Sequence, residues 1–344
     1  MTQNLTVGGR RVTVIGGGVV GLTAAVRLLE RGSSVRVVSS RAGSASVSGV
    51  APALFTPYPG APHARLMGWV RESLSSLRVL AEHAPESGVH VAPVRLYRYS
   101  DPEGSEEAWE SLLSRRDLPA PAGVKSVDET QRPHIDMTRY LPWLENRVRE
   151  LGGVFEAREV TSLGDELSAG AATVVNCTGL GARQLVSDSA MTPLRGIVAR
   201  IPNTIGLTRS VHDDAPGGHV TYVFVYRDHL AVGSTFEPGR WEEEIDNKAV
   251  EAMFERARNL LRLDGFARWR DLSSDGAKLR VGLRPARAAD GTYEDIRLER
   301  EGTPAGVVVH NYGHGRSGVS LSWGCAAEAA SLICGARGSP NNLA

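Results

Sequence analysis

The 344-residue sequence predicts an α/β chain in two lobes, one built on a Rossmann-like parallel sheet, the other an α+β lobe on a mixed or antiparallel sheet. Three observations predict it. A short apolar run over residues 12–15 turns at once into Gly16-Gly17-Gly18-Val19-Val20-Gly21 and then into a helical pattern. A second glycine-rich stretch, residues 311–320, precedes another apolar helix. Between them, residues 195–234 change to the alternation of strands.

Strand, G-x-G-x-x-G and helix, in that order, are what a dinucleotide phosphate needs. Gly16 permits the tight turn, Gly18 lets backbone approach the pyrophosphate, and Gly21 lets helix and strand pack. The helix N-terminus then presents unpaired N–H groups to the anion. Leu22, Ala25, Val26 and Leu29 form its buried stripe, and Gly32 sits where a C-terminal cap belongs. The next strand, residues 34–39, ends in Ser39-Ser40-Arg41 where an acidic residue normally holds the ribose. Ser40 is its hydrogen-bonding replacement, and Arg41 a candidate contact to the adenosine or its phosphates. Residues 43–60 (GSASVSGVAPALFTPYPG) carry no charge and no helical or strand period. Such small residues suit backbone packed on a flat ligand, with Phe55 and Tyr58 as candidate walls.

Further on, the spacing predicts helices over 66–84, around Trp109, and over 136–151, 248–261 and 319–334. Strands are expected at 89–91, 94–99, 154–159, 172–176, 197–201, 220–226, 230–233, 307–311, and 278–284 running into Pro285. The strand at 172–176 stops at Asn176-Cys177-Thr178-Gly179, which places small residues at a sheet's carboxyl edge, where ligands of open α/β folds bind. Alternation from 220 to 226 puts Tyr222, Phe224 and Tyr226 on one face. Residues 1–85, 136–190 and 295–344 are expected to form a discontinuous dinucleotide domain, and 86–135 and 191–294 a substrate domain.

Lys plus Arg and Asp plus Glu cancel at 39 each, which argues against nucleic acid or an anionic membrane as partner. No run approaches the ~18 apolar residues of a spanning helix, and the first residues lack a signal-peptide core, so a cytoplasmic location is expected. Cys177, Cys325 and Cys334 are scattered without a C-x-x-C pair and imply no metal site. The composition leaves a homodimer open.

Several stretches together resemble one family. The first glycine motif, VVNCTG at 174–179, GLRP at 282–285 followed by IRLER at 296–300, HNYGHGxxG at 310–318, and Trp323-Gly324-Cys325 all resemble D-amino-acid oxidases. The resemblance implies a Rossmann-like domain with extended FAD. Its pyrophosphate would rest on Gly16, Gly18, Val19 and Val20, and Ser40, Arg41 and Val160 would serve the adenosine side. Gly313, Gly315, Gly318, Val319 and Ser320 would meet the pyrimidine end of the flavin, with Ser48, Leu54, Thr178 and Gly179 also at the cofactor. A helix N-terminus there would stabilise negative charge on the reduced ring.

For the substrate, Arg284 resembles the arginine that grips the amino-acid carboxylate, and Tyr222 a tyrosine that assists it. A planar, permanently charged fork suits that bidentate contact. Arg316 and Tyr58 complete the expected substrate set. The implied reaction is hydride transfer from Cα–H of a neutral amine to flavin N5, giving a 2-oxo acid, ammonia and, with O₂, hydrogen peroxide. His310 and His314 are expected to support their loop rather than act as bases. Two positions depart from the family: Gly218 stands where a lid tyrosine is usual, with His219 as the nearest substitute, and Arg316 stands where a glycine is common. These departures motivate an alternative substrate, glycine, sarcosine or another small secondary or cyclic amine. A nicotinamide-dependent reductase or a sensor is the competing class, and the second glycine-rich loop argues against it.

Overall fold

The computed structural model describes residues 10–57, 63–101, 105–170, 172–214, 220–288, 293 and 295–334. Strand β1 (Arg11–Gly17) passes through Gly18 into α1 (Val19–Glu30), and β2 (Ser34–Ala42) returns parallel to β1, three residues longer than its hydrophobic run. The uncharged segment that follows is built of two 3₁₀ turns and a short strand, β3 (Ala53–Leu54), where sequence periodicity shows none. Helix α2 (Ala64–His83) begins at His63, whose ring accepts the Leu66 amide. Then come β4 (Val89–Arg98), one strand where two short ones were expected, α3 (Ser105–Glu110), β5 (Arg115–Leu118) and β6 (Ser126–Ile135).

Asp136 caps α4 (Met137–Glu150) through the Thr138 amide, and Pro142 is accommodated in that helix. Strand β7 (Val154–Glu156), α5 (Leu163–Ser168), β8 (Thr173–Asn176) and α6 (Ala182–Leu185) follow. The chain then makes β9 (Met191–Pro202), β10 (Ser210–Asp213), β11 (Tyr222–Val225), β12 (His229–Gly233), β13 (Glu237–Pro238), α7 (Asn247–Leu263) and β14 (Lys278–Arg287). Strand β14 does not stop at Pro285, because that residue lies opposite Pro193 and no ladder donor is required of it. Last are β15 (Arg297–Thr303), β16 (Gly306–Tyr312) and α8 (Ser322–Cys334), which starts three residues later than its apolar run because a 3₁₀ turn, Gly315–Ser317, comes first.

The strands form two sheets. One runs β15-β16-β8-β1-β2-β7, parallel except for the β15–β16 hairpin. The other runs β13-β9-β12-β11-β10-β4-β6-β3, with β14 on β9 and β5 on β6, and is antiparallel apart from the β10–β4 pair. The main core gathers α1, α2, α4 and α8 on the first sheet, with Leu22, Val70, Leu144 and Trp323 fully enclosed. A second core seats Met253, Phe254 and Leu261 of α7 on Ile197, Val211 and Val232. No helix among the described residues is long and apolar enough to cross a membrane. The cysteines are free thiols, Cys325 deep in α8.

Candidate active site

A cavity of about 800 Å³ runs from the carboxyl edge of the first sheet to the face of the second. Its floor at one end is the β1–α1 turn. Gly16 has φ +119°, and a Cβ there would come within 2.9 Å of the Cys177 carbonyl carbon. At Gly21 a Cβ would collide with the Gly16 carbonyl. Gly18 opens α1 in extended backbone with no side-chain cap and no acidic residue in the first turn. The first-turn amides therefore face the cavity unopposed, except that Val19 N–H donates to Ser48 Oγ at 3.1 Å.

The remaining residues singled out for a cofactor lie along the same wall. Ser40 and Arg41 are exposed at its mouth. Val160 lines it from a loop beyond β7, whose strand ends at Glu156 and not at Glu159. Thr178 and Gly179 follow β8, where Asn176 Oδ1 accepts the Thr178 amide and hydroxyl and fixes the turn. Gly313, Gly315, Gly318, Val319 and Ser320 line the far half. Ser320 Oγ accepts the Thr56 amide at 3.1 Å and donates to the Leu54 carbonyl, so this loop is tied to the segment that carries Ser48 and Leu54. Phe55 does not wall the cavity: it is fully buried, edge-on to Trp109, because β3 turns alternate residues inward. Tyr58, Gly218 and His219 lie outside the described residues.

At the other end stand Arg284 on β14 and Tyr222 on β11. Each rests on a glycine that the sequence reading did not single out. A Cβ on Gly196 would lie 2.6 Å from Arg284 Nη2, so the guanidinium lies flat on bare backbone; its Nη1 also donates to the Leu194 carbonyl at 3.3 Å. A Cβ on Gly233 would lie 2.7 Å from Tyr222 Cε2. A glycine inside a strand pattern was the available signal, since it marks close approach by something else. Tyr222 stacks on Phe224 with centroids 4.4 Å apart, and together they form an aromatic wall. Phe236 and Glu243, also missed, line the same end, and the half-buried Arg316 holds its guanidinium carbon 5.6 Å from the Phe236 ring centre.

The loop that carries Arg316 is pinned to the strand that carries Arg284, through a bridge between Ala286 and His314. His314 is buried on the cavity wall, and burial lowers its pKa to about 4. Its Nε2 has no hydrogen-bond partner among the described residues. His310 is outside the cavity lining, its ring held between Glu301 and Asn176. Burial also holds the Cys177 thiol above its ordinary pKa, so no thiolate opposes an anion at the glycine turn.

A family model described as FAD dependent oxidoreductase, DAO, matches residues 11–332. The chain belongs to that family. D-amino-acid oxidases of Rubrobacter xylanophilus and Streptomyces coelicolor are each 39% identical to it, over 94% and 93% of this chain and 95% and 96% of theirs. A glycine oxidase from Geobacillus kaustophilus has the same fold, with a TM-score of 0.73 at 17% identity over 94% of this chain and 95% of the other.

The DAO-family cofactor suits the donors present. The glycine strip lets a flat, extended molecule approach backbone, and the acid-free first turn of α1 offers N–H groups to a pyrophosphate. The unpartnered Nε2 of His314 is a buried polar atom facing the cavity, as expected where a ligand atom completes its bonding. The cavity volume lies in the upper range of small-molecule sites.

Proposed function

We propose that this DAO-family enzyme oxidatively deaminates D-amino acids to 2-oxo acids, ammonia and hydrogen peroxide. The observation that carries this reading is the single cavity that joins the α1 N-terminus to Arg284 and Tyr222. Its 39% identical relatives bear the name of the same activity. When bound, FAD accepts the electron pair of the substrate Cα–H and passes it to O₂. Gly16, Gly18, Val19 and Val20 hold its pyrophosphate, Ser40, Arg41 and Val160 its adenosine side, and Ser48, Leu54, Thr178 and Gly179 its middle. Gly313, Gly315, Gly318, Val319 and Ser320 take the flavin end.

Arg284 binds the substrate α-carboxylate through its fork and so fixes the direction of the Cα–H bond. Tyr222 closes on the same carboxylate, and the Tyr222–Phe224 wall excludes water from the reacting carbon. Neutral His314 supports the ring end of the cofactor without adding charge. Residues 1–85, 136–190 and 295–344 serve the cofactor and 86–135 and 191–294 the substrate. The enzyme works in the cytoplasm.

The test is anaerobic mixing of the purified yellow protein with paired D- and L-amino acids, following loss of flavin absorbance. The D-forms bleach it and the L-forms do not, and D-alaninamide, lacking the carboxylate, reacts at least a hundredfold more slowly than D-alanine. Bleaching by L-forms, or by glycine and sarcosine alone, would overturn the reading.

A further inference from the structure

Part of the substrate end of the cavity is closed by a segment with no regular structure. Residues 239–246 run from β13 to α7, and every one of them is exposed. Even so, Glu243 of this strap lines the cavity, as does Phe236 just ahead of β13. A solvated strap without a helix or strand of its own keeps its place only if something else holds it.

One side chain does so. Arg195 on β9 is fully buried, and its Nε donates to the Glu242 carbonyl at 2.6 Å, its Nη2 to the Glu244 carbonyl and its Nη1 to Glu237 Oε1. Among the described residues, no other hydrogen bond joins residues 241–245 to the body of the protein. A buried guanidinium is costly unless acceptors meet its donors, and here the strap and its approach supply them.

Strand pairing sets this clamp directly behind the substrate end. On β9, Gly196 is the seat of Arg284, and its two neighbours bind the chain ahead of the strap. Arg195 lies opposite Glu237 in the β13–β9 ladder, and the Ile197 amide donates to Thr235 Oγ1 at 3.0 Å. Thr235 Oγ1 in turn donates to Glu237 Oε1 at 2.9 Å. Thr235 and Glu237 thus turn toward β9, and Phe236 between them turns toward the cavity. Arg195 itself is not part of the cavity lining.

From this arrangement we propose that Arg195 is a positioning residue for the substrate side chain. By clamping residues 237–244 it keeps Phe236 and Glu243 at the substrate end, where they bound the space that a side chain larger than methyl must enter. The proposal rests on the D-amino-acid reading above. Because Arg195 acts through the strap and touches neither substrate nor cofactor, its effect falls on KM for the larger substrates, with kcat and FAD binding spared.

The test compares D-methionine with D-alanine in the FAD-loaded enzyme. Arg195→Lys keeps the charge but loses the fork that reaches three acceptors. Its KM for D-methionine relative to D-alanine rises by about tenfold, while kcat and FAD affinity stay within about twofold of the wild type. Trypsin cleavage after Arg240, an exposed strap residue, becomes about tenfold faster, read by mass spectrometry of the fragments. The double variant Glu242→Gly/Glu244→Gly changes exposed positions alone and loosens the same strap, so it folds whether or not the buried arginine can be replaced, and it shows both effects. An unchanged KM ratio in these variants overturns the proposal while the oxidase reading stands. Equal losses of kcat and FAD affinity overturn it as well, since they mark a general structural role. If no D-amino acid bleaches the wild-type flavin, the oxidase reading has failed and this proposal with it.

Discussion

At the scale of single residues, this site is shaped as much by missing side chains as by present ones. Tyr222 occupies the space that a side chain on Gly233 would fill, and Arg284 the space above Gly196. Gly233 is the cleaner test, because the three atoms nearest a Cβ there all belong to the Tyr222 side chain, whereas at Gly196 a backbone carbonyl is among them. Tyr222→Phe removes one hydroxyl and is expected to lower kcat/KM by about tenfold. Gly233→Ala displaces the whole ring and should cost at least tenfold more, by misplacing the group proposed to touch substrate. In a Tyr222→Ala background the same Gly233→Ala change should lower Tm by less than it does in the wild type, since the ring it would strike is gone. Steady-state kinetics of Tyr222→Phe and Gly233→Ala, and thermal melts of the wild type, Gly233→Ala, Tyr222→Ala and the double variant, check this, and equal cost in both backgrounds would refute the packing argument.

At the scale of elements, the β1–α1 unit separates folding from cofactor binding between two neighbouring glycines. A Cβ on Gly21 would strike the Gly16 carbonyl, a backbone atom that cannot give way, so Gly21→Ala should destabilise the fold by about 3 kcal/mol. Gly18 has φ −85°, and a Cβ there would meet Ser48 Oγ at 3.0 Å and otherwise only Ser46 at ordinary contact distance, so Gly18→Ala should fold with Tm of the FAD-free protein nearly unchanged. Its methyl group would nonetheless enter the cavity where the proposed pyrophosphate site lies, and FAD affinity should fall at least tenfold. Melting the stripped proteins and titrating FAD back by fluorescence quenching separates the two effects. This unit was legible in the sequence because each glycine answers to a local backbone demand. Strand β6 was not: its inward positions include Asp128 and Arg132, fully buried and paired with Arg98 and Glu110, so no apolar alternation betrays it. Strand β5, reading Arg-Arg-Asp-Leu, was hidden because its three charged residues are exposed and leave no apolar alternation to read.

For the whole molecule, the buried histidines set the response to acid. Burial lowers His134 to about 3 and His314 to about 4, and lowers His212 well below 6.5. Between those values and 6.5 the unfolded chain binds protons that the folded chain does not. Stability is therefore fully present above about pH 6.5 and declines as the pH falls toward 4, by about 1.4 kcal/mol per pH unit for each such histidine. Thermal melts from pH 7.5 to 5 should show Tm falling steadily below pH 6.5, and a flat profile would contradict the neutral, buried state of these rings. Three histidines from β6, β10 and the loop after β16 share this property although no local pattern distinguishes them from the exposed His83.

The sequence by itself determined the cofactor-binding half: glycines at fixed offsets, an apolar strand before them and an apolar helix after them are local requirements, and local requirements are written in consecutive residues. Through the family resemblance it also supplied Arg284, Tyr222 and Arg316 as candidates, and all three line the same cavity. What the tertiary structure alone decided is how they meet. The seating of Arg284 on Gly196, the pairing of Arg316 with Phe236, and the turning of Phe55 into the core while Leu54 and Thr56 face the cavity all depend on strands from distant segments lying side by side. Pairing across a sheet is a relation between residues remote in sequence, and neither partner's composition reveals which neighbour it will have.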